Sequence, residues 1–158
     1  TARQLNPKSQ YHLAFNVGYP NAFDRQNGRT GSAIMVHGDC VSIGCFAMTN
    51  KGIEEIYGYV AAALKNGQRE VPVHIFPFRM SESAIARESG GGGFASLFSA
   101  AARDEAPAGG ASNWGEFWRD LKKGYDLFER SGEPPLAYAC KGRYAFSPGP
   151  GCQRIAGW

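Results

Sequence analysis

The sequence predicts an α/β (α+β) domain, and three observations carry that reading. Residues 11–17, 33–36 and 71–78 are short apolar or alternating runs of strand length. Two longer stretches, after Thr49 and after Asn113, repeat apolar residues at helical spacing. The 21 glycines and 9 prolines interrupt the 158-residue chain too often for a helical bundle.

Taken in order, Tyr-His-Leu-Ala-Phe-Asn-Val at 11–17 reads as the first strand, broken by Gly18-Tyr19-Pro20-Asn21 and a polar turn region at 24–31. The apolar run 33–36 reads as a buried strand that delivers His37 to its end. Thr49 or Asn50 then caps a helix with Glu54 and Glu55 in its first turn. Ile53, Ile56, Tyr57, Val60, Ala61 and Leu64 make its apolar face, and Asn66-Gly67 ends it. Residues 71–78 read as a further strand, although Pro72 and Pro77 restrict its pairing.

The small-residue region 87–112 holds Gly90-Gly91-Gly92-Gly93, read as a flexible loop because no Gly-Lys-Ser or Gly-Lys-Thr follows, and Phe94, Leu97 and Phe98 fit a short helix. Asn113 and Glu116 resemble a capping box for a second main helix carrying Trp114, Phe117, Trp118, Leu121, Tyr125 and Phe128, stopped by Gly132 and Pro134-Pro135. Residues 136–140 and 143–146, joined by Lys141-Gly142, read as a hairpin. That gives a domain at 1–146 and a tail at 147–158.

Composition narrows function mainly by exclusion. A net charge of +3, from 17 basic and 14 acidic residues without a basic block, gives no nucleic-acid footprint. No apolar run has the length of a transmembrane segment. The first residue is Thr1 rather than methionine, which reads as a processed or trimmed chain. Four cysteines are too few and too unevenly spaced for a disulfide scaffold, with Cys140 and Cys152 able to pair in an oxidising compartment.

The chemistry concentrates in His37-Gly38-Asp39-Cys40-Val41-Ser42-Ile43-Gly44-Cys45. A nucleophilic thiol needs a base, and its transition state needs backbone N–H groups aimed at an oxyanion. Here His37 is the candidate base, Cys45 the candidate nucleophile, and Gly44 lets the backbone bend closely around it. Two other readings fit the same residues. His37, Cys40 and Cys45, with His74, are a candidate metal set, although paired Cys-x-x-Cys knuckles are absent. A buried histidine beside two small cysteines is the plainest alternative.

With its flanks Gly31-Ser32-Ala33-Ile34-Met35-Val36 and Cys45-Phe46-Ala47-Met48-Thr49, this segment resembles the active-site motif of the L,D-transpeptidase (YkuD-type) family, in its YafK-like murein branch. The matching elements are His37-Gly38 and Ser42-Ile43-Gly44-Cys45, and the segment 72–80 and the helix at 114–128 also resemble that branch. The chain departs from the wider family in its short gap from His37 to Cys45, in Ile43 where a second histidine is usual, and in Ala47 where a polar residue or arginine is usual. Family domains begin with several strands ahead of the point matched by Thr1, so the resemblance implies a domain lacking its N-terminal strands.

The resemblance implies a mixed-sheet domain with two main helices, and cysteine-dependent acyl transfer on peptidoglycan stem peptides through a thioester at meso-diaminopimelate. Cys45 and His37 would be catalytic, Gly44 and Ser42 would shape the loop, and no metal or cofactor is implied. Tyr19 is a candidate wall of the substrate cleft, and Arg25, Arg29 and Arg79 are candidate carboxylate clamps. Asp39, two residues from His37, is awkwardly placed to orient it. The implied setting is the periplasm or cell envelope, with roles in peptidoglycan biosynthesis, cell-wall organisation and cell shape. Alternatives are a hydrolase cutting a diaminopimelate–lysine link between murein and an envelope lipoprotein, and a catalytically inactive murein-binding domain. Cys40 lies close enough in sequence to trap Cys45 as a disulfide.

Overall fold

A computed structural model describes residues 1–89 and 114–156. The Gly90-Gly91-Gly92-Gly93 run, the short helix expected around Phe94, Leu97 and Phe98, and the Asn113 cap lie outside the described residues. The fold is α+β, with strands in two sheets, and the chain forms two compact units, residues 1–73 with 155–158, and residues 74–154.

The first unit is built on a four-stranded mixed sheet in the order β1 (Leu5–Asn6), β2 (Ala14–Asn16), β3 (Met35–His37) and β4 (Phe46–Ala47). β1, β2 and β3 pair antiparallel, whereas β4 runs parallel to β3. Strand alternation divides the sheet's labour. Phe15 and Val36, paired in register, join Ile53 in a buried cluster with Leu5, Leu13, Val17, Met48 and Tyr57 around it. Ala14, Asn16, Met35 and His37 therefore belong to the opposite face.

Ile53 lies on helix α2 (Asn50–Lys65), which Thr49 caps by accepting the Gly52 N–H at 3.0 Å. The helix starts at Asn50, so Glu54 and Glu55 fall beyond its first turn, contrary to the sequence reading. Only Ile53 of the expected apolar face is fully buried; Ile56 stays 40% exposed.

Two elements here differ from expectation. The first strand is confined to Ala14–Asn16, because His12 takes a left-handed φ of 67° that bends the chain before it. The polar region after Pro20 contains a short helix, α1 (Ala22–Gln26). Asn21 accepts the N–H groups of Phe23 and Asp24, and Asp24 accepts the Asn21 N–H, a reciprocal cap that the reading of 24–31 as a polar turn missed.

The second unit packs helices α3 (Glu82–Ser89) and α4 (Trp114–Ser131) with a three-stranded antiparallel sheet, order β6-β5-β7. β5 (Tyr138–Cys140) and β6 (Arg143–Ala145) form the expected hairpin, with Lys141 and Gly142 both at positive φ as a tight two-residue turn requires. The expected tail contains a strand instead: β7 (Cys152–Arg154) pairs with β5, and Cys140 and Cys152, opposite each other in register, close a disulfide.

Residues 71–78 do not form a strand, since Pro72 and Pro77 bring no N–H to a ladder. Alternation survives without pairing, and the rings of Phe76 and Phe78 meet Tyr125 and Trp118 of α4 edge-on, with centroids 5.3 and 5.4 Å apart. Helix α3 was not expected, although Ser81 accepts the Ala84 N–H as its cap.

Asp120 on α4 is buried at 3% exposure and accepts a fork from Arg143 of β6, Nε to Oδ2 at 2.9 Å and Nη2 to Oδ1 at 3.0 Å, with Lys123 Nζ at 2.9 Å. Burial alone would raise this carboxyl, but the Arg143 and Lys123 hydrogen bonds and charges outweigh it and hold it below the ordinary carboxylate value. A depressed native value means this stabilisation is present above the unfolded aspartate's pKa and is lost as pH falls through the native one. Asp120→Ala is expected to cost about 1–3 kcal/mol near neutral pH, the low end of a buried pair because both cations reach solvent. Denaturant unfolding at pH 7 and in mild acid checks this; an unchanged stability at pH 7 would contradict it.

Candidate active site

The site is assembled where β3 ends. His37 is 2% exposed, and its Nδ1 lies 2.6 Å from the Gly38 carbonyl oxygen. A carbonyl only accepts, so Nδ1 carries a proton, and in the neutral imidazole the lone pair is on Nε2. Tyr11 covers the imidazole, with ring centroids 4.7 Å apart. The same residue's carbonyl accepts the Gly38 N–H at 3.0 Å, so Tyr11 fixes both the ring and the backbone that sets its tautomer.

Residues 38–45 return the chain to start β4 parallel to β3, in a span shorter than the roughly dozen residues such a connection usually takes. That tight return uses left-handed backbone at Asp39 (φ 68°) and Cys40 (φ 50°), and a φ of 146° at Gly44. A Cβ at Gly44 would touch nothing within 4 Å, so its backbone conformation, not space, favours glycine there. The Met48 N–H donates to the His37 carbonyl at 2.9 Å, the Cys40 N–H donates to Met48 at 3.2 Å, and Asn50 Oδ1 accepts the Asp39 N–H at 2.9 Å.

The loop ends at the candidate nucleophile. Val36 pairs with Phe46 and His37 with Ala47, and Cys45 immediately precedes β4. Cys45 and His37 therefore stand at the two ends of the loop that joins β3 to β4. The Cys45 thiol is partly exposed and lies 3.7 Å from the Ala33 carbonyl. Ser42 organises the loop from within: its Oγ accepts the N–H groups of Gly44 and Cys45 at 3.0 and 2.6 Å and donates to the Cys45 carbonyl at 2.9 Å.

Ala33 and Met35 also line a cleft of about 610 Å³, together with Arg3, Asn6, Asn16 and Tyr19. Tyr19, a candidate substrate-cleft residue in the sequence, is in this lining, its hydroxyl donating to the Thr30 carbonyl at 2.9 Å. Arg25 and Arg29 are not in this lining. Arg25 donates to the Pro20 carbonyl at 2.6 Å, while Arg29 reaches Asp24 at 3.5 Å and lies over the Phe23 ring. Arg79 is exposed in the second unit.

His74 also belongs to the second unit, edge-on to Phe76, and burial pushes its imidazole below the ordinary value. Among the described residues no group of three or more His, Cys, Asp or Glu side chains is arranged to hold a metal ion. Sequence reasoning missed Tyr11, Asn50 and Arg3, of which only Asn50, at the start of a capped helix, carried a local signal.

No protein-family model matches the chain. Curated relatives include two proteins named "Putative L,D-transpeptidase YafK", from Escherichia coli strain K12 and from Escherichia coli O157:H7. Each is 44% identical over 144 residues, which is 91% of this chain. The chain spans half the length of these relatives, 50% in each case. By that likeness the chain belongs to the YafK-like L,D-transpeptidase family.

Proposed function

We propose that the protein catalyses acyl transfer on peptidoglycan stem peptides, with Cys45 as nucleophile and His37 as its base. The observation that supports this reading is the His37 Nδ1 contact with the Gly38 carbonyl, which leaves Nε2 as the ring nitrogen available to act as base, at the start of the loop that ends in Cys45. His37 Nε2 takes the thiol proton as sulfur attacks the carbonyl of meso-diaminopimelate. Collapse of the oxyanion expels the following residue's amine, which takes that proton and leaves a thioester. An acceptor amine, or water, then gives its proton to His37, forms the new amide or acid, and regenerates the thiol.

The N–H groups of Gly44 and Cys45 serve as oxyanion donors in this scheme. Both now donate to Ser42 Oγ, so the hydroxyl holds them aligned and yields them when the oxyanion forms. Ser42→Ala is expected to lower kcat about 100-fold, the cost of an error of about 1 Å in placing a reacting group. A small alkylating reagent should still label Cys45 in that variant, and an unchanged kcat would show the hydroxyl to be dispensable.

A second reading is hydrolysis of a diaminopimelate–lysine link between murein and an envelope lipoprotein. It is favoured by the loop's apolar tip, where Ile43 is fully exposed and Val41 is 66% exposed, a surface suited to a protein-borne substrate. The setting we infer is the periplasm or cell envelope, supported by the family and by the Cys140–Cys152 disulfide. No described helix is long and apolar enough to cross a membrane.

Product analysis by mass spectrometry tests the proposal and separates the readings, with tetrapeptide muropeptides in one arm and a diaminopimelate–lysine-linked peptide in the other. Cross-linked dimers mark transpeptidation, and release of the lysine-bearing peptide marks hydrolysis. Absence of turnover in both would support a murein-binding domain and contradict the proposal.

Cys40 and Cys45 are free thiols on one loop, and Cys40 is exposed. Cys40→Ala is expected to keep full activity and to resist inactivation by diamide, which oxidises neighbouring thiols to a disulfide. Inactivation at the wild-type rate would contradict that role.

A further inference from the structure

The cleft beside Cys45 has an unusual balance of polar groups. Its lining includes one guanidinium, that of Arg3, and no carboxylate. Arg3 is exposed and has no side-chain hydrogen bond or ion pair among the described residues, in contrast to Arg25 and Arg29, which are engaged around α1. Of the three carboxamides in the lining, Gln4, Asn6 and Asn16, the two asparagines have their oxygens engaged by backbone: Asn6 Oδ1 accepts the Lys8 N–H at 3.2 Å, and Asn16 Oδ1 accepts the Gly18 N–H at 2.7 Å. Each side chain is thereby oriented with its NH2 group left to give. Tyr19 brings no donor to the cleft, because its O–H is committed to the Thr30 carbonyl.

A cleft offering a cation and amide donors, with no acidic side chain to compete, fits an anion with several acceptor lone pairs. The cleft adjoins the proposed nucleophile, since the Cys45 thiol lies 3.7 Å from the carbonyl of Ala33, which lines it, and Asn6 and Asn16 share the sheet face of Met35. We propose that Arg3, with the amide NH2 groups of Asn6 and Asn16, forms a carboxylate-binding subsite that seats the acyl donor for attack by Cys45. This rests on the acyl-transfer reading above. The ligand chemistry is a free carboxylate; which carboxylate of the donor peptide is seated is what the test resolves.

The test measures binding without turnover, by calorimetry on the full chain carrying Cys45→Ala. The probes are a stem tetrapeptide and the same peptide with one carboxylate at a time converted to a carboxamide. One amidated peptide is expected to bind about 10- to 100-fold more weakly, the worth of a charge-assisted hydrogen-bond pair. Adding Arg3→Gln should weaken the unmodified peptide by the same factor and leave that amidated peptide unaffected. Arg3→Lys, which keeps the charge but loses the fork, should fall between.

Equal weakening of every peptide by Arg3→Gln, no effect of Arg3→Gln, or no binding to either protein would overturn the subsite. These outcomes are independent of whether wild-type Cys45 forms a thioester, so failure of the subsite and failure of the acyl-transfer reading remain distinguishable.

Discussion

His37→Gln is expected to slow thioester formation by about 10²- to 10⁴-fold, the usual worth of a positioned general base. The expectation follows from the tautomer rather than from the presence of a histidine. With Nδ1–H held by the Gly38 carbonyl at 2.6 Å, only Nε2 is free to take the thiol proton, and glutamine offers no comparable base. Because His37 is buried, a loss of rate alone would not separate chemistry from misfolding. His37→Ala leaves a space under Tyr11, and added imidazole is expected to restore part of the rate in that variant. A single-turnover rate unchanged by His37→Gln would remove His37 from the mechanism.

Gly38→Ala is expected to be nearly as damaging, although its side chain takes no part in the chemistry. A Cβ there would lie 2.6 Å from Asn50 Oδ1, 3.0 Å from the Tyr11 carbonyl oxygen and 3.1 Å from His12 Cβ. Asn50 and the Tyr11 carbonyl hold the loop and the tautomer of His37, so neither can move without disturbing the base. We expect kcat to fall about 100-fold, as for a displacement of about 1 Å in a reacting group. Overpacking should destabilise the fold by about 1–3 kcal/mol. Thermal unfolding and kcat measured together check this, and a variant with wild-type kcat would show that the loop tolerates the shift.

The elements legible in the sequence were those whose signals are local. Helix α2 followed from Thr49 and the spacing of Ile53, and the β5–β6 hairpin from Lys141-Gly142 between two short runs. The strand at 71–78 misled because alternation there reports packing of Phe76 and Phe78 on α4, while Pro72 and Pro77 remove the donors pairing needs. β7 depends on a register partner that its own residues do not announce; the sequence offered the pairing of Cys140 with Cys152 but not the strand that it joins.

At the site, His37, Ser42, Gly44 and Cys45 stood out because one short segment holds them all. Tyr11 and Arg3 did not, since each reaches the site through strand pairing and loop contacts distant in sequence. Arg25 and Arg29 were attractive as residue types, but their guanidiniums are directed at groups around α1.

The most direct measurement is the intact mass of the full chain mixed with a stem tetrapeptide and quenched in acid. The account predicts an adduct equal to the acyl donor less its departing residue, mapped to the peptide containing Cys45 and absent from Cys45→Ala. An adduct that persists in Cys45→Ala, or none on a wild-type protein shown to bind the peptide, would contradict Cys45 as the nucleophile.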